Sequence, residues 1–493
     1  MLRYGVHRPT DGGNEIIMVV NTKENWTRAR LIPVSGIGSE KEAETRAASA
    51  VLAVLSVVRD LSVALFSPMG ASRAAKAIVE TYTEPQFVLD GKKIRPDGVV
   101  RIAYGKATWT ALVEIKTGDG RLEADQINAY WEIARQHNFD AVITISNEIA
   151  ASPGSHPTEG LRVRSNSKIQ VHHISWTALL STAVMFKVHR GVDDPEQAWL
   201  VGELIRYLEH SASGAMAFDD MGPNWVPVRD GARDGTLRKT DDGVQDVALR
   251  WDQLLRYAAL QLGAQIGSDV HHVLSRAHIE QKARTSHLVD ALVSGAPLDG
   301  VLRVPNTVGD IEMSMDVKAR RITAYVNVTA PEDRGAKARC SWIVAQLKDA
   351  PAGLVIESYA KNARTPVSAT ASAAREDRDV LLPEDKRDLV RFRLVLTQEM
   401  GQGRKTSGRK PGFIDSILSL LGTFYGSVVQ NVTPWRPKAP KISAPPAMAA
   451  TVDDDHEDRE PMDNPPPVAD EVRPIPIPIP MPAGGADRWP WTQ

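Results

Sequence analysis

The chain has 493 residues, and its 59 basic and 61 acidic residues leave a formal net charge of −2 at pH 7. This length predicts two or three domains, and the near-neutral charge excludes a chain-wide basic surface, so that any surface for nucleic acid must be local. The single cysteine, Cys340, excludes an intrachain disulfide framework and an iron–sulfur site held by four cysteines.

The amino-terminal stretch MLRYGVHRPTDGG lacks the apolar core of a signal peptide. No apolar run reaches the length of about 18 residues that spans a membrane. We therefore expect a soluble cytoplasmic protein with no membrane association. Residues 1–35 contain two predicted strands, at 15–21 and 26–34, which either extend a larger sheet or form a small appendage.

A first globular region is predicted over residues 36–188. It opens with an Ala- and Leu-rich helix at 39–65 that carries acidic residues in its first turns. A break follows, then a short predicted helix at 71–81 and a strand at 84–89 that ends in an Asp-Gly turn. The strand at 84–89 is expected to be the first of the core sheet.

The next stretch, from 95 to 130, contains the candidate chemistry. Two strands, 99–103 and 109–116, are rich in β-branched and aromatic residues and are joined by a turn at Gly105. Side chains alternate along a strand, so that Glu114 and Lys116 share one face. Pairing of this hairpin brings Asp97 alongside them. Two carboxylates and a backbone carbonyl form an oxygen-rich site of the kind that Mg²⁺ or Mn²⁺ prefers.

A helix over 123–137 follows the hairpin, and its first half contains Gln126 and Tyr130. Asp97, the Glu114-x-Lys116 pair and Gln126-x3-Tyr130 together resemble the PD-(D/E)xK nuclease superfamily, which has a restriction-endonuclease-like fold. The Gln-x3-Tyr element is similar to that of the RecB and λ-exonuclease types. The resemblance covers about residues 36–185.

The resemblance implies a metal-dependent nuclease that hydrolyses DNA phosphodiester bonds, in DNA repair or in defence against foreign DNA. Magnesium or manganese would be held by Asp97, Glu114 and the carbonyl of Ile115, and Lys116 would handle the water nucleophile. Gln126 and Tyr130 would support the site. The first helix would add one acidic residue, for which we favour Glu44; the other candidates there are Glu40 and Glu42.

Two alternatives stay open at this point. The same fold could serve as a non-catalytic DNA-binding or regulatory module, and RNA is not excluded as a substrate. Glu-x-Lys by itself is a weak signal, because Glu384-Asp385-Lys386 and Asp316-Val317-Lys318 also match it. Neither of these two has the upstream Pro-Asp or the downstream Gln-x3-Tyr.

The rest of the first region is predicted as strands at 140–146 and 169–174 and a helix at 175–186. The resulting order α–β–β–β–α–β–β–α predicts an α/β fold with a mixed sheet flanked by helices. The adjacent histidines 172 and 173 in a strand, and 271 and 272 in a predicted helix, do not form zinc sites without further ligands.

Residues 189–298 are predicted to be helical, with a helix at 197–210, a loop at 219–242 and one or two long helices at 244–287. An apolar stripe along the long helix either binds a protein partner or packs on its own domain. Residues 299–400 are predicted as a small α/β module, with strands at 311–315, 322–328, 353–359 and 389–397 and a helix at 336–347.

The carboxyl-terminal part changes composition. Residues 401–432 comprise a basic linker and a short amphipathic helix. Residues 433–493 are rich in proline and acidic residues and are predicted to be disordered. This tail serves either as a spacer or as a docking segment for a protein partner. A homo-oligomer stays open.

Overall fold

The computed structural model describes residues 27–28, 40–150, 154–163, 167–210, 213–384, 387–406 and 411–436. Within these ranges the chain is a mixed α/β structure with two large sheets, as the sequence predicts in outline. The strand predicted at 15–21, most of the one at 26–34 and the tail from residue 437 lie outside the described residues.

The first sheet has the strand order β1–β2–β5–β6–β7–β8 in the described residues. The β5–β6 pair is antiparallel, whereas β6–β7 and β7–β8 are parallel, so that the sheet is mixed. The elements of this half are β1 (Thr27–Arg28), α1 (Glu40–Val57), α2 (Arg59–Phe66), β2 (Ile78–Thr83), β3 (Phe87–Leu89), β4 (Lys92–Ile94), β5 (Gly98–Tyr104), β6 (Ala107–Ile115), α3 (Ala124–Gln136), β7 (Ala141–Ser146), β8 (Gln170–Ser175), α4 (Trp176–Val184) and α5 (Pro195–Glu209).

Both faces of this sheet are covered. Apolar residues of α1, α2, α4 and α5 pack on one face, and those of α3 and the β3–β4 hairpin pack on the other. Every residue of β7 is buried, which explains why its sequence is a continuous run without alternation. The turn between β5 and β6 is made possible by Gly105, whose φ is 59°.

The prediction for residues 71–89 is wrong in two places. The expected helix at 71–81 is replaced in its second half by β2, because the run from Ile78 to Thr83 is largely β-branched and pairs with β5. The expected first core strand at 84–89 is reduced to β3, which among the described strands pairs with β4 alone and lies outside the six-stranded sheet.

The second sheet has the order β14–β13–β15–β12–β11–β10–β9, and each of its described pairings is antiparallel. The predicted strands and helix of 299–400 are confirmed. The elements are α6 (Trp225–Asp234), α7 (Val244–Ile266), β9 (His271–His272), α8 (Gln281–Ser294), β10 (Leu298–Arg303), β11 (Ile311–Asp316), β12 (Arg321–Thr329), α9 (Ala336–Gln346), β13 (Val355–Ala360), β14 (Val367–Thr370), α10 (Ala371–Glu376), β15 (Leu389–Glu399) and α11 (Phe413–Ser427).

A single apolar core joins three regions that the sequence suggests are separate. Side chains of α7, α8, α9 and α11 pack together on the inner face of the second sheet. The short amphipathic helix predicted after the basic linker is α11, and Ile417, Leu420 and Phe424 on it are fully buried. The linker itself is pinned at one end, where Met221 N–H donates to Arg404 O.

Two further predictions in this half are corrected. The loop expected at 219–242 contains α6. The stretch 244–287 divides into α7 and α8, because Gly267 ends α7 in a left-handed conformation. Histidines 271 and 272 consequently lie in strand β9 and not in a helix. The apolar stripe of α7 is buried in the core of its own chain, which leaves it no free partner surface.

By length and composition alone, Phe413–Asn431 could cross a membrane, and the segments Lys41–Val57 and Arg59–Met69 pass the same test only as a pair bent by 107°. Half of the first segment is buried inside the fold. Core helices of soluble proteins pass this test equally well, and the buried face of α11 accounts for its apolar composition.

The start of the expected disordered tail is packed against the body. Trp435 meets Trp342 edge-on, with ring centroids 6.4 Å apart, and Arg334 lies over the Trp435 ring. Thr433 N–H donates to the side chain of Gln346. The described chain up to Trp435 forms one compact unit, so the boundary predicted at 433 comes too early.

Candidate active site

The hairpin places its acidic residues at the carboxyl end of β6. Val113 and Ile115 enter the apolar core beneath α1 and α4, whereas Leu112 packs with Tyr130 of α3 on the other face. Glu114 therefore faces α3, as the alternation predicts. Gly98 pairs with Val113, which sets Asp97 beside Glu114, and Asp97 Oδ2 accepts a hydrogen bond of 2.7 Å from Ile115 N–H.

Helix α3 holds the Glu114 carboxylate through two side chains. Gln126 Nε2 donates to Oε1 at 2.7 Å, and Tyr130 OH donates to Oε2 at 2.8 Å. Gln126 also donates to Tyr130 OH at 2.9 Å. The two residues stand four apart and therefore share one side of the helix. Only 2% of the Glu114 side chain is exposed, so these donors replace the water that it lacks.

Lys116 links this carboxylate to helix α1. Its Nζ lies 2.7 Å from Glu114 Oε1 and 3.6 Å from Glu44 Oε2. The side chain of Glu44, the candidate that we favour on α1, lies here, and it also accepts a hydrogen bond from the backbone of Thr117. The carbonyl of Lys116 accepts from Trp176 Nε1 at 2.8 Å, which fixes the end of the strand.

The charges of this cluster are unbalanced, because three carboxyl groups surround one ammonium. Burial, together with the neighbouring Glu114 carboxylate, raises the pKa of Asp97 to about 8. Burial also raises the pKa of Glu44. Burial alone would lower the pKa of Lys116, but the carboxylates around it outweigh that effect, and its pKa lies above the ordinary value.

The donor set suits a hard divalent cation in its chemistry. Carboxylate oxygens and a backbone carbonyl are the ligands that Mg²⁺ and Mn²⁺ prefer. In the described part of the chain, however, no three His, Cys, Asp or Glu side chains converge closely enough to hold a metal ion. The Lys116 amine occupies one oxygen of Glu114, so a cation would have to displace it.

A row of polar side chains that the sequence did not suggest continues from Glu114 across the sheet. Glu114 pairs in register with Thr144, which pairs with His173. Thr144 Oγ1 contacts His173 Nδ1 at 2.9 Å and His156 Nε2 at 2.8 Å. Burial lowers the pKa of His156 to about 4 and that of His173 to about 3, so both are neutral at pH 7.

The hydrogen-bond partners assign the tautomers in this row. His156 Nδ1 accepts from Thr158 N–H, and His173 Nε2 donates to the carbonyl of Glu148. His156 therefore donates through Nε2 to Thr144, and Thr144 donates to His173. Every ring nitrogen is used, which makes this row a support for the strands and the loop beside the cluster.

The other two Glu/Asp-x-Lys matches are different. Asp316 Oδ1 accepts from Ala319 N–H at 2.8 Å in a tight turn, and Lys318 donates to Ser294 O. In the other match, residues 385 and 386 lie outside the described residues.

Comparisons with family models, with curated proteins and with solved structures find no match for this chain.

Proposed function

We propose that this protein is a metal-dependent nuclease that hydrolyses DNA phosphodiester bonds. The observation that carries the proposal is the cluster of Asp97, Glu114 and Glu44 around Lys116. Its excess negative charge is half-buried, and such a site favours a cation. The two residues of α3 that resemble the family motif, Gln126 and Tyr130, both hold Glu114.

The arrangement of elements supports a restriction-endonuclease-like fold for this half of the chain. A helix, α1, precedes an antiparallel hairpin, and α3 then leads to strands that continue the sheet in parallel. The cluster lies at the carboxyl ends of β6 and β7, where loops leave the sheet and a substrate can approach.

Asp97, Glu114 and the carbonyl of Ile115 would hold Mg²⁺ or Mn²⁺, with Glu44 as a further carboxylate. A cation held there would supply positive charge for the phosphate and for the attacking water. Tyr130, whose pKa is raised by burial and by Glu114, stays protonated and keeps Glu114 oriented.

Lys116 has the most direct role among the side chains of the chain itself. With a raised pKa it is an ammonium, so it donates a hydrogen bond to the water nucleophile or to a phosphate oxygen. It can take up a proton only after losing its own. Neutralising the charges of Glu114 and Glu44 would favour that loss, because those charges hold its pKa up.

The deciding experiment incubates the purified full chain with linear, circular and single-stranded DNA and with RNA, in Mg²⁺, Mn²⁺ or EDTA. We expect cleavage of DNA that requires a cation and that Glu114→Gln abolishes. The matched control is Glu312→Gln, because Glu312 also accepts from a tyrosine and an amide, Tyr325 and Asn327, but lies on the second sheet.

Glu312→Gln should cleave like the unaltered protein. Cleavage by Glu114→Gln at the unaltered rate would overturn the site. Binding of DNA without cleavage under any cation would instead favour the non-catalytic module, and preference for RNA would change the substrate class.

A further inference from the structure

The loop that follows Lys116 determines where Glu44 lies. The backbone N–H of Thr117 donates to the Glu44 carboxylate. A Cβ atom at Gly120 would lie 3.1 Å from Glu44 Oε1, so the loop runs directly against this side chain. Movement of the loop would therefore change the separation of Glu44 from Lys116.

Asn147, just beyond the end of β7, fastens this loop to a distant part of the chain. Its Nδ2 donates to Gly118 O at 3.0 Å and to Gly214 O at 2.8 Å, and its Oδ1 accepts from Met216 N–H at 2.6 Å. Gly118 N–H also donates directly to Gly214 O at 2.9 Å. Three of the four hydrogen bonds that an amide side chain can make are thus used to join the two segments.

Gly214 fits this junction for two reasons. Its φ of +74° lies in the left-handed region, which residues with a side chain rarely adopt. A Cβ atom there would lie 2.7 Å from Thr117 Cβ, closer than real contacts allow, and 3.0 Å from Gly118 N, which is tighter than most real contacts. The segment 213–216 can therefore lie against the loop only with glycine at this position.

The segment 213–216 leads into the second half of the molecule. Phe218, two residues further on, is buried in the core of the second sheet, where its ring lies 5.8 Å from that of Tyr257. The junction at Asn147 therefore connects the loop of the candidate site to the core that supports the second sheet.

We infer that the site is composite, with segment 213–216 as its outer support and Asn147 and Gly214 as positioning residues that act through Glu44. This inference rests on the proposed function. Region 36–188 contains every side chain of the cluster, but it lacks Gly214, whose carbonyl accepts hydrogen bonds from Asn147 and Gly118. We call this junction the Asn147 clamp. The second half of the chain would accordingly be required for full affinity for the divalent cation.

The test uses three variants of the full chain. Asn147→Asp keeps the shape of the side chain but sets a carboxylate against two carbonyl oxygens, and Gly214→Ala introduces the Cβ clash. Gly235→Ala is the matched control, because Gly235 has a φ of +70° but nothing within 4 Å of its would-be Cβ. Calorimetric titration with Mn²⁺, single-turnover cleavage and melting temperature are measured for each.

We expect Asn147→Asp and Gly214→Ala to lower Mn²⁺ affinity and turnover by about 10- to 100-fold, the range found when support of a metal ligand is lost. Gly235→Ala should change only the melting temperature. A double-mutant cycle with Glu44→Gln separates positioning from general loss of structure. If Asn147 acts through Glu44, the double variant loses no more than Glu44→Gln alone.

Affinity and turnover at the unaltered level in both clamp variants would overturn the inference, as would losses that add fully to those of Glu44→Gln. Both results leave the nuclease proposal intact, provided that the unaltered chain binds Mn²⁺ and cleaves DNA. Failure of the unaltered chain to do either would overturn the proposed function and this inference with it.

Discussion

Two polar clusters in this molecule are built from similar groups but differ in charge balance. The strand-end cluster consists of Asp97, Glu114, Lys116 and Glu44. The arginine cluster, in the second half, centres on Arg284, which is 2% exposed. Arg284 forms two parallel hydrogen bonds to Asp252 and a third, of 3.0 Å, to Asp299 Oδ2. His287 Nε2 contacts the other oxygen of Asp299 at 2.8 Å.

This difference indicates that the arginine cluster supports the fold and that the strand-end cluster is suited to bind a cation. Burial raises the pKa of Asp252 in spite of Arg284, whereas at Asp299 the effects of Arg284 and His287 outweigh burial and lower the pKa of the carboxyl. In the strand-end cluster a single ammonium lies among three carboxyl groups, of which Asp97 retains its proton to a pH of about 8. Removing one partner of a buried ion pair is strongly destabilising, which gives the arginine cluster a structural role, whereas a buried excess of one sign favours an ion that the chain does not supply.

Asp252→Asn should have the largest effect, and it should fall on stability alone. It leaves the Arg284 guanidinium buried without its main counter-ion, which typically costs about 3–5 kcal/mol of folding free energy. Denaturant unfolding measures this loss, and cleavage per folded molecule should be unchanged. A variant as stable as the unaltered chain would show that the arginine cluster is not structural.

Lys116→Ala should show the opposite pattern, a loss of cleavage without a loss of cation binding. Removing the amine leaves every carboxylate in place, so that cation affinity survives or rises as a nearby positive charge is lost. Turnover should fall by about 10² or more if Lys116 takes part in proton transfer. Single-turnover cleavage at saturating Mg²⁺ measures this, and the unaltered rate in this variant would exclude Lys116 from the chemistry.

Tyr130→Phe tests how the Glu114 carboxylate is held. Loss of the donor to Oε2 should weaken Mn²⁺ binding or turnover by about 10- to 100-fold, as is typical when the support of a ligand is removed. Tyr325→Phe is the control, since it removes the same kind of donor from Glu312. Equal effects of the two changes on cleavage would remove the distinction between the two halves.

Cation binding should also depend on pH through Asp97. Its pKa of about 8 means that a proton must leave before the carboxylate can bind a cation, so affinity should rise by nearly tenfold per pH unit up to about 8. The same shift gives a contribution to fold stability that is complete below pH 3.8 and is lost as the pH rises through about 8. Calorimetric titrations at several pH values check this, and Asp97→Asn should remove the Asp97-dependent part of the slope.

Deleting residues 437–493 should have the smallest effect. The segment is rich in proline and acidic residues, a composition that cannot bury much apolar area. Melting temperature and cleavage should stay unchanged when the cut preserves Trp435. A large fall in melting temperature would mean that the removed segment docks on one of the two halves.

The sequence predicts the local half of the site and misses the rest for a physical reason. Alternation along β6 and the four-residue spacing on α3 are short-range patterns, and they correctly set Glu114 opposite Gln126 and Tyr130. The contacts of Asn147 join residues 67 apart in the chain, and no periodicity reports such a pairing. The sequence feature that points to this contact is the polar pair Ser146 and Asn147, which follows the apolar start of strand β7.

The second half shows the same limit. Strand spacing predicts β11, β12 and β15, but the apolar stripes of α7 and α11 do not say which surface covers them. Their burial in one core is a consequence of long-range packing: it makes the helix predicted after the linker a core element, and it decides for the stripe of α7 between the two alternatives, in favour of packing on its own chain.

The separation of these contacts along the chain also bears on the order in which the site assembles. Asp97 and the Ile115 N–H that binds it are 18 residues apart, within one hairpin, whereas the Asn147 clamp closes a loop of 67 residues. Hairpins form within microseconds, and distant pairings come later because a larger loop must be closed first. During folding, Asp97 and Glu114 would therefore stand side by side before segment 213–216 reaches the loop that contacts Glu44.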